Sequence, residues 1–451
     1  MANSRNSPRA EVSEVVASVH AALAAALVSH LSDGAKLAIA LSGGIDSMVL
    51  LDAAYALAPE QRLALSAIHV HHGLSPNADR WATFCVEQCA ARNIALSTHR
   101  LDLRRERGQS LEAHARKLRY ERLLAADVDA IVLAHHADDQ AETLLLQLLR
   151  GAGPAGLAAM PAFTPGRPAL LRPLLGIPRA TLAAYAQMRG LAWVDDESNI
   201  DRRHARNYLR SEIAPLFRAR FAGYPETLVR AANHQAEATR LAEELAAIDA
   251  QGAIDASGLS RARLAELSPP RARNLLRWYL RREGLRSPSE SRLREMLRQL
   301  VTSAEDARIR IVQDGAEIGR HRGRIAVHAP IGESFVRVWH GELQVSLPGG
   351  VLAFESTHGS GVSASKVRRA SITLRSRTGG ERIRLAANRP THALKKLLQE
   401  ADMPAWERQR LPLVWSGDEL VAVPGIGVAV AFQAAPDEAG WRIEWRPRKA
   451  D

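Results

Sequence analysis

The chain has 451 residues, 46% of them hydrophobic and 24% charged, which excludes a disordered or collagen-like protein. This length exceeds the ~250–300 residues that one hydrophobic core supports, so two or three domains are expected. The 60 basic and 49 acidic side chains leave a formal charge of +11, and the whole excess lies after residue 200. A neutral front half and a basic back half fit a nucleotide- or metabolite-handling domain joined to a polyanion-binding one. Solvated helix faces explain the same charge equally well.

Neither the cysteines nor the first residues indicate secretion or a membrane anchor. Cys85 and Cys89 are four residues apart in a predicted helix, which fits neither a disulfide framework nor a zinc site. The run 15–32 lacks charge, but histidines interrupt it and its apolar residues have helical spacing. We therefore predict no signal peptide, no membrane span and a cytoplasmic location.

From residue 35 onwards, short apolar runs alternate with helical segments. The predicted strands are 36–41, 63–70, 94–99 and 130–134, and the helices predicted to follow them are 47–57, 79–92, 110–126 and 138–150. This alternation indicates an α/β fold with a parallel, doubly wound sheet covered by helices on both faces. Ligands of such sheets bind at the carboxyl ends of the strands.

The rest of the chain is predicted to be less regular. Residues 172–217 are predicted as a loop and two helices, 225–300 as helical, 305–345 as short β runs, and 345–448 as strands with one helix near 391–401. We predict three domains, at 1–222, 223–340 and 341–451, of which the second is mostly helical and the third a small α+β domain.

The first chemical motif, SGGIDS, stands at the junction of the first strand and its helix. Its members are Ser42, Gly43, Gly44, Ile45, Asp46 and Ser47. Two glycines allow a tight turn and a close approach to a ligand, while helix-start amides and serine hydroxyls can bind phosphate. A plain turn capped by an aspartate or serine is the alternative. The string resembles the PP-loop of the ATP pyrophosphatases, which cleave ATP between the α- and β-phosphates.

Two other glycine patterns are excluded. No GxxxxGK[ST] string occurs, so the chain is not a P-loop NTPase. The GxGxxG match at 151–156 follows a helix, whereas a dinucleotide fingerprint follows a strand, so we predict that it ends the helix 138–150.

The second motif, HHADDQAET, follows the fourth predicted strand. Its candidate residues are His135, Asp138, Asp139 and Glu142. Adjacent carboxylates and histidines at the mouth of a sheet suit Mg²⁺ binding, cation recognition or proton transfer. Helix capping is the alternative for the two aspartates.

Two further clusters are less specific. Histidines 69, 71 and 72 end the second strand and are more often structural than functional. Arg116 and Arg119 share a helix face and could reach phosphates, although solvated ion pairs are as good an explanation.

Several strings together closely resemble the tRNA(Ile)-lysidine synthases. They are SGGIDS, HVHHGLS, the segment 135–160, RPLL from Arg172, DESN (196–199), RNYLR (206–210), RTGGE (377–381), LKKL (394–397) and PAWERQRLP (404–412). The matches lie at both ends of the chain, and residues 225–340 match only loosely. The resemblance implies a PP-loop catalytic domain followed by two tRNA-binding domains.

The resemblance also implies a reaction. That family uses ATP to activate C2 of the wobble cytidine in the CAU anticodon of a minor isoleucine tRNA, after which the ε-amine of free L-lysine attacks and AMP departs. ATP and Mg²⁺ are thus the expected cofactors, with Asp46 as the leading metal or phosphate-positioning residue. Asp138, Asp139 and Glu142 are the expected partners of the lysine ammonium groups, His135 or a carboxylate the expected proton acceptor, and Arg116 the phosphoryl contact.

The basic back half is expected to contact the tRNA. The candidate contacts are Arg206, Lys395, Lys396, Arg408 and Arg410, while Trp406 is interpreted as a core residue rather than a base-stacking one. No membrane partner is expected, and a homodimer and a monomer are both open. The nearest rival is a tRNA thiolase, which would need reactive cysteines, and an RNA-binding protein without catalysis is the rival from another class.

Overall fold

A computed structural model of the chain describes residues 8–73, 75–103, 111–195, 203–304, 309–368 and 371–447. The motif DESN at 196–199 and the side chain of Glu112 lie outside these described residues. The chain divides into two compact units, Met1–Leu241 and Ala242–Asp451. The three-domain division at 222 and 340 stays a prediction.

The first unit is built on a six-stranded sheet. Its strands are β1 (Lys36–Ala40), β2 (Ala64–His71), β3 (Ala95–Arg100), β4 (Ala130–Val132), β5 (Phe163–Thr164) and β6 (Ala169–Leu171). The order across the sheet is β3-β2-β1-β4-β6-β5, and all neighbours are parallel except the edge pair β5–β6. The α/β fold class and the four predicted parallel strands are confirmed.

Helices surround this sheet and follow the predicted order. They are α1 (Pro8–His30), α2 (Ile45–Leu57), α3 (Ala78–Ala90), α4 (Leu111–Leu124), α5 (Ala137–Leu149), α6 (Pro154–Leu157), α7 (Arg179–Met188), α8 (Ala205–Tyr208), a π-helical turn (Leu209–Ile213), α9 (Ala214–Arg220) and α10 (Tyr224–Ala250). Apolar side chains of α1, α2 and α7 pack with the central strands into one core that also buries both cysteines. In the described residues, no helix is both long and apolar enough to cross a lipid bilayer.

The strand order places the two motifs beside each other. From β1 the chain moves to β2 and β3 on one side, then crosses to β4 on the other side of β1. The reversal creates a crevice at the carboxyl ends of β1 and β4, which is where open α/β sheets bind ligands. SGGIDS follows β1 and HHADDQAET follows β4, so both motifs meet at this crevice.

The second unit contains helices and four further sheets. Its helices are α11 (Arg261–Glu266), α12 (Pro269–Arg282), α13 (Glu290–Thr302), α14 (Ala364–Arg368), α15 (Leu394–Glu400) and α16 (Ala405–Arg410), with a 3₁₀ turn at Val430–Phe432. Its strands are β7 (Ile254–Asp255), β8 (Gly258–Ser260), β9 (Ile311–Gln313), β10 (Ala316–His321), β11 (Arg324–His328), β12 (Val336–Val338), β13 (Gln344–Leu347), β14 (Gly350–His358), β15 (Val362–Ser363), β16 (Ile372–Arg375), β17 (Arg382–Ile383), β18 (His392–Ala393), β19 (Leu413–Ser416), β20 (Glu419–Val423), β21 (Gly427–Val428) and β22 (Ala439–Pro447).

Two features of the second unit differ from the prediction. The helical segment 225–300 is interrupted by the short strands β7 and β8, which complete the sheet β7-β8-β11-β10-β9. The one helix predicted near 391–401 is α15, but α14 and α16 are present as well. Elements of two to six residues carry too few positions for a hydrophobic period to show in the sequence.

Candidate active site

The loop between β1 and α2 is closed by one hydroxyl group. Gly43 has φ +87°, a left-handed conformation that suits glycine. Oγ of Ser47 accepts hydrogen bonds from the amides of Ser42 (3.3 Å) and Gly43 (3.1 Å) and donates one to the carbonyl of Gly44 (2.9 Å). The loop is thereby held by its own atoms, and the first amides of α2, which have no partner within the helix, remain to bind an anion.

Asp46 lies in the first turn of α2 with one carboxylate oxygen engaged and one free. Its Oδ2 is 3.6 Å from Nε2 of His136, which is 2% exposed and caps the start of α5. Its Oδ1 is buried and accepts no hydrogen bond from the described residues. Burial alone would lower the pKa of His136, but the hydrogen bond to Asp46 and the charges of Asp139 and Asp138 outweigh burial and raise this pKa. Nε2 of His136, whose Nδ1 accepts from the amide of Asp139, therefore faces and orients the Asp46 carboxylate.

The donor set at Asp46 fits a magnesium ion that arrives with a phosphate ligand. In the described ranges, no three His, Cys, Asp or Glu side chains converge on one metal position. A dedicated protein cage is therefore not built from these residues. Mg²⁺ is usually held by one or two carboxylates together with phosphate oxygens and waters, and the unpartnered Oδ1 of Asp46 can supply such a carboxylate ligand.

The three carboxylates of α5 lie together, as the motif predicted, but each faces an arginine. Glu142 is 5% exposed and accepts two hydrogen bonds from Arg210, at 2.8 and 3.0 Å. Arg210 also donates to Asp139 at 2.9 Å, and Arg218 pairs with the buried Asp138. These arginines come from the helical segment 205–220, so the acidic cluster is neutralised within the chain.

Arg206 belongs to the same acidic cluster. Its guanidinium donates to Thr143 at 2.6 Å and lies 3.5 Å from Glu142. Burial raises the pKa of Glu142, although Arg210 and Arg206 act against this shift. For Asp139 burial acts in the same direction, but the nearby His136, His135 and Arg210 outweigh it and lower the pKa.

A cavity of about 480 Å³ opens at the carboxyl ends of β1 and β2. Its charged and polar lining residues are Ser42, Asp46, His69, His71, His72, Ser75, Arg116, Arg119, Tyr120, His135, Arg179, Asp195 and Arg210. The PP-loop, His135 and Arg116 thus share one cavity. Asp138, Asp139 and Glu142 lie behind Arg210 and do not line it.

His135 faces the cavity with a ring that is not strongly basic. Its Nδ1 is buried without a hydrogen-bond partner in the described residues. Burial lowers the pKa of His135 to about 3, so the ring is neutral near pH 7. A neutral imidazole with a free ring nitrogen is suited to a hydrogen bond with a ligand and poorly suited to retaining a proton.

The histidines after β2 include two structural ones, in agreement with the interpretation from sequence. Nδ1 of His69 donates to the carbonyl of Leu41 at 2.9 Å, and Nε2 of His71 lies 3.2 Å from Asp79. Cys85 packs beneath the PP-loop, 3.6 Å from His69, and burial raises the pKa of its thiol to about 12. A thiol of this kind is a poor nucleophile at neutral pH, which argues against a thiolase that depends on it.

The basic residues of the second unit that were predicted to contact tRNA differ in their exposure. Lys395 and Lys396 are exposed on α15, while Arg408 is half-buried and donates to the carbonyl of Met403 at 2.5 Å. Arg410 requires a correction, because it is only 6% exposed and donates to Nδ1 of His328 at 3.0 Å. Its burial removes it from the surface that a phosphate could reach, so we assign it to packing.

Trp406 also contacts His328. The two rings stack at a centroid distance of 4.5 Å and an angle of 14°. Trp406, a residue of α16, therefore packs against the end of β11, which agrees with its interpretation as a core residue.

Sequence reasoning missed four members of the site. His136 was recognised as part of a histidine pair, but its contact with Asp46 was not expected. Arg179, Arg210 and Arg218 were given no role, although each contacts a motif carboxylate. Arg210 is 71 residues from Asp139 in the sequence, and Arg218 is 80 residues from Asp138. A single sequence carries no signal for such distant pairs apart from charge.

The fold and the crevice define a class, namely the PP-loop nucleotide-binding enzymes. Residues 15–217 match the family model described as the PP-loop domain, residues 259–326 match the TilS substrate binding domain, and residues 372–445 match the TilS substrate C-terminal domain.

Relatives that match over most of the chain show which family it belongs to. The chain is 42% identical to a tRNA(Ile)-lysidine synthase of Nitrosomonas europaea over 433 residues, which cover 93% of this chain and 94% of the relative. It is 42% identical to that of Aromatoleum aromaticum (91% and 97% covered) and 38% identical to that of Coxiella burnetii (94% and 96%). The chain belongs to the tRNA(Ile)-lysidine synthase family.

Proposed function

We propose that the protein is an AMP-forming ligase that joins L-lysine to C2 of the wobble cytidine in the CAU anticodon of tRNA(Ile). The product, lysidine, pairs with A instead of G and changes the tRNA from methionine to isoleucine specificity. The observation that carries this proposal is the meeting of SGGIDS and HHADDQAET at one crevice of the sheet, in a chain of this family.

The first step is the adenylation of the cytidine. Its C2 oxygen attacks the α-phosphorus of ATP, the bond to the β-phosphate oxygen breaks, and pyrophosphate leaves with the bonding electrons. We assign the amides at the start of α2 and the hydroxyl of Ser42 to the phosphates, because they line the cavity at the PP-loop. The buried hydroxyl of Ser47, predicted to bind ATP as well, would instead hold the loop in shape. Asp46 would hold Mg²⁺, which shields the phosphate charge when bound. Arg116, on the same cavity, would contact the phosphoryl group.

The second step is the attack of lysine. Its ε-amine must lose a proton, since the unperturbed pKa of that group is about 10.4. The nitrogen then attacks C2, and AMP departs with the former C2 oxygen. Asp138, Asp139 and Glu142 are our candidates for the lysine ammonium groups, on the condition that an ammonium takes the place of an arginine. Among the proton acceptors considered, a carboxylate such as Glu142, with its raised pKa, is favoured over the weakly basic His135.

The proposal is tested with purified protein, ATP, Mg²⁺, radiolabelled lysine and a transcript of the minor isoleucine tRNA. Label is expected to enter the tRNA only when the wobble base is cytidine. A transcript with uridine at that position is the matched control. If folded protein that binds ATP incorporates no lysine into the cytidine transcript, the proposal is wrong.

Gly43→Ala is expected to weaken ATP binding about tenfold or more. A Cβ there would lie 3.0 Å from Cγ2 of Val194 and 3.2 Å from Sγ of Cys85, and φ +87° costs a non-glycine residue roughly 1–2 kcal/mol. About 1.4 kcal/mol corresponds to a tenfold change in affinity. Gly44→Ala is the matched comparison, because φ is −72° and the nearest atom is 3.6 Å away. Calorimetric titration should show a larger loss of ATP affinity for Gly43→Ala than for Gly44→Ala. Equal losses would contradict the requirement for glycine at position 43.

The exposed lysines of α15 are proposed to contact the tRNA backbone, together with Arg408 and Arg206. Replacing Lys395 and Lys396 by glutamate should weaken tRNA binding and flatten its dependence on salt, because fewer counterions are released. Lys36→Glu, at the opposite end of β1 from the crevice, is the control. Filter binding between about 50 and 200 mM salt measures the slope, and an unchanged slope would remove the pair from the interface.

A further inference from the structure

Arg179 stands at the mouth of the cavity beside the PP-loop. It is the first residue of α7, its side chain is half exposed, and it lines the cavity with Ser42, Gly44 and Asp46. Its Nε lies 4.0 Å from Oδ1 of Asp46, the oxygen that accepts no hydrogen bond. Within the described part of the chain, this is the one carboxylate within ion-pair distance of the guanidinium.

The backbone of Arg179 is fixed to the start of α5. Its amide donates to Oδ2 of Asp138 at 2.9 Å. Two residues earlier, the carbonyl of Ile177 accepts a hydrogen bond of 2.9 Å from the amide of Ala137. The first turn of α7 therefore cannot move without breaking contacts to the HHADDQAET helix.

The rest of α7 is fixed to the PP-loop helix. Asp52, which is 5% exposed on α2, accepts hydrogen bonds of 3.0 Å from both Tyr185 and Arg189 of α7. Since α2 begins at the PP-loop, these buried contacts set the distance between the loop and the base of the Arg179 side chain. A long side chain on a rigid base can reach a ligand without reorganisation of the backbone.

The other arginines that line the cavity differ from Arg179 in their partners and in the helices that carry them. Arg210 is engaged by Glu142 and Asp139. Arg116 and Arg119 belong to α4, and the guanidinium of Arg116 lies over the ring of Tyr120 at 5.5 Å. Arg179 is the cation beside Asp46, and among the described residues its nearest carboxylate is that of Asp46 itself, at 4.0 Å. A planar guanidinium in this position presents paired donors that match phosphate oxygens.

We propose that Arg179 binds the β- and γ-phosphates of ATP and stabilises the departing pyrophosphate, a role that rests on the proposed function. When the α–β phosphoanhydride bond breaks, the electron pair goes to the pyrophosphate oxygen, and negative charge develops on that side of the scissile bond. The guanidinium meets this charge, while Asp46 remains available to the metal. Arg179 is thus a further catalytic residue of the adenylation step.

Arg179→Ala and Arg179→Gln test this role. Both should weaken the binding of inorganic pyrophosphate with Mg²⁺ about tenfold, measured by calorimetry without tRNA or lysine. Both should slow the formation of pyrophosphate in a single turnover about 100-fold, the usual effect of losing one donor to developing charge. Binding of tRNA and the KM for lysine should not change. Arg179→Lys should recover part of the rate, because it restores charge without the paired donors.

A control variant and two contrary outcomes distinguish a failure of the Arg179 role from a failure of the proposed lysine transfer. Arg150→Ala removes an exposed positive charge at the end of α5, away from the cavity, and should leave all readouts unchanged. A wild-type affinity for pyrophosphate together with a wild-type rate of pyrophosphate formation in either charge-removing variant would overturn the role of Arg179. If the alanine variant does not fold, the glutamine variant, which retains the length of the side chain, decides. Wild-type protein that binds pyrophosphate but transfers no lysine would instead refute the proposed function.

Discussion

Asp46→Ala is expected to reduce lysine transfer roughly 100- to 1,000-fold while leaving tRNA binding within about twofold of wild type. The variant loses the carboxylate whose free oxygen is our candidate metal ligand, and preorganised charge of this kind is worth about 10²–10³ in rate. It also leaves His136 without its contact at 3.6 Å. Single-turnover transfer and filter binding with the same transcript give the two quantities.

The matched control for Asp46 is Asp127→Ala. Asp127 is a fully exposed carboxylate whose ion pair with Lys36, at 3.6 Å, is also exposed, so little change is expected in either quantity. Loss of tRNA binding together with activity in Asp46→Ala would contradict the division between a catalytic front half and an RNA-binding back half.

Arg210→Ala is expected to destabilise the first unit by roughly 3 kcal/mol at pH 7–8, because it leaves buried charges without a partner. Glu142 would lose both of its hydrogen bonds from this arginine, and Asp139 would lose one. Arg298→Ala is the comparison, because its pair with Glu295 is exposed and such pairs contribute about 0–1 kcal/mol. Denaturant unfolding gives the free energy of unfolding of both variants. Equal losses of this free energy would show that the buried cluster contributes no more to stability than a surface pair.

The loss in Arg210→Ala should depend on pH. Burial already raises the pKa of Glu142 above its ordinary value, and removing Arg210 raises it further. A carboxyl group with a raised folded-state pKa binds its proton more tightly when folded, so its contribution to stability is largest below about pH 4.3 and is lost as the pH rises through the folded-state pKa. The difference from wild type should therefore be smaller at pH 5 than at pH 8. The opposite trend would contradict the burial of this charge.

The sequence predicted the catalytic sheet because its signals are local. Apolar strands alternate with helices, and the β1 motif stands where a strand must meet a helix through a glycine turn. The meeting of SGGIDS with HHADDQAET followed from one physical rule, that parallel sheets bind ligands at the carboxyl ends of their strands. The strand order, with β4 beside β1, then placed them at the same crevice.

The electrostatic partners could not be predicted in the same way. The acidic cluster of α5 looked like a ready cation site, yet Arg210 and Arg218 already occupy it from residues far along the chain. Arg410 looked like a surface cation, yet it is buried against His328. Burial and pairing of charges depend on tertiary contacts that leave no periodic pattern in one sequence. The short strands β5 and β6 were missed because two or three residues show no alternation.

The stoichiometry of a single turnover is the most direct test of the proposed reaction. With α-labelled ATP, labelled lysine and the transcript that carries the wobble cytidine, we expect one lysine to enter the wobble nucleoside for each AMP and each pyrophosphate formed. Omission of the tRNA should abolish AMP formation. Formation of ADP and phosphate, or lysine found at any position other than the wobble nucleoside, would contradict it.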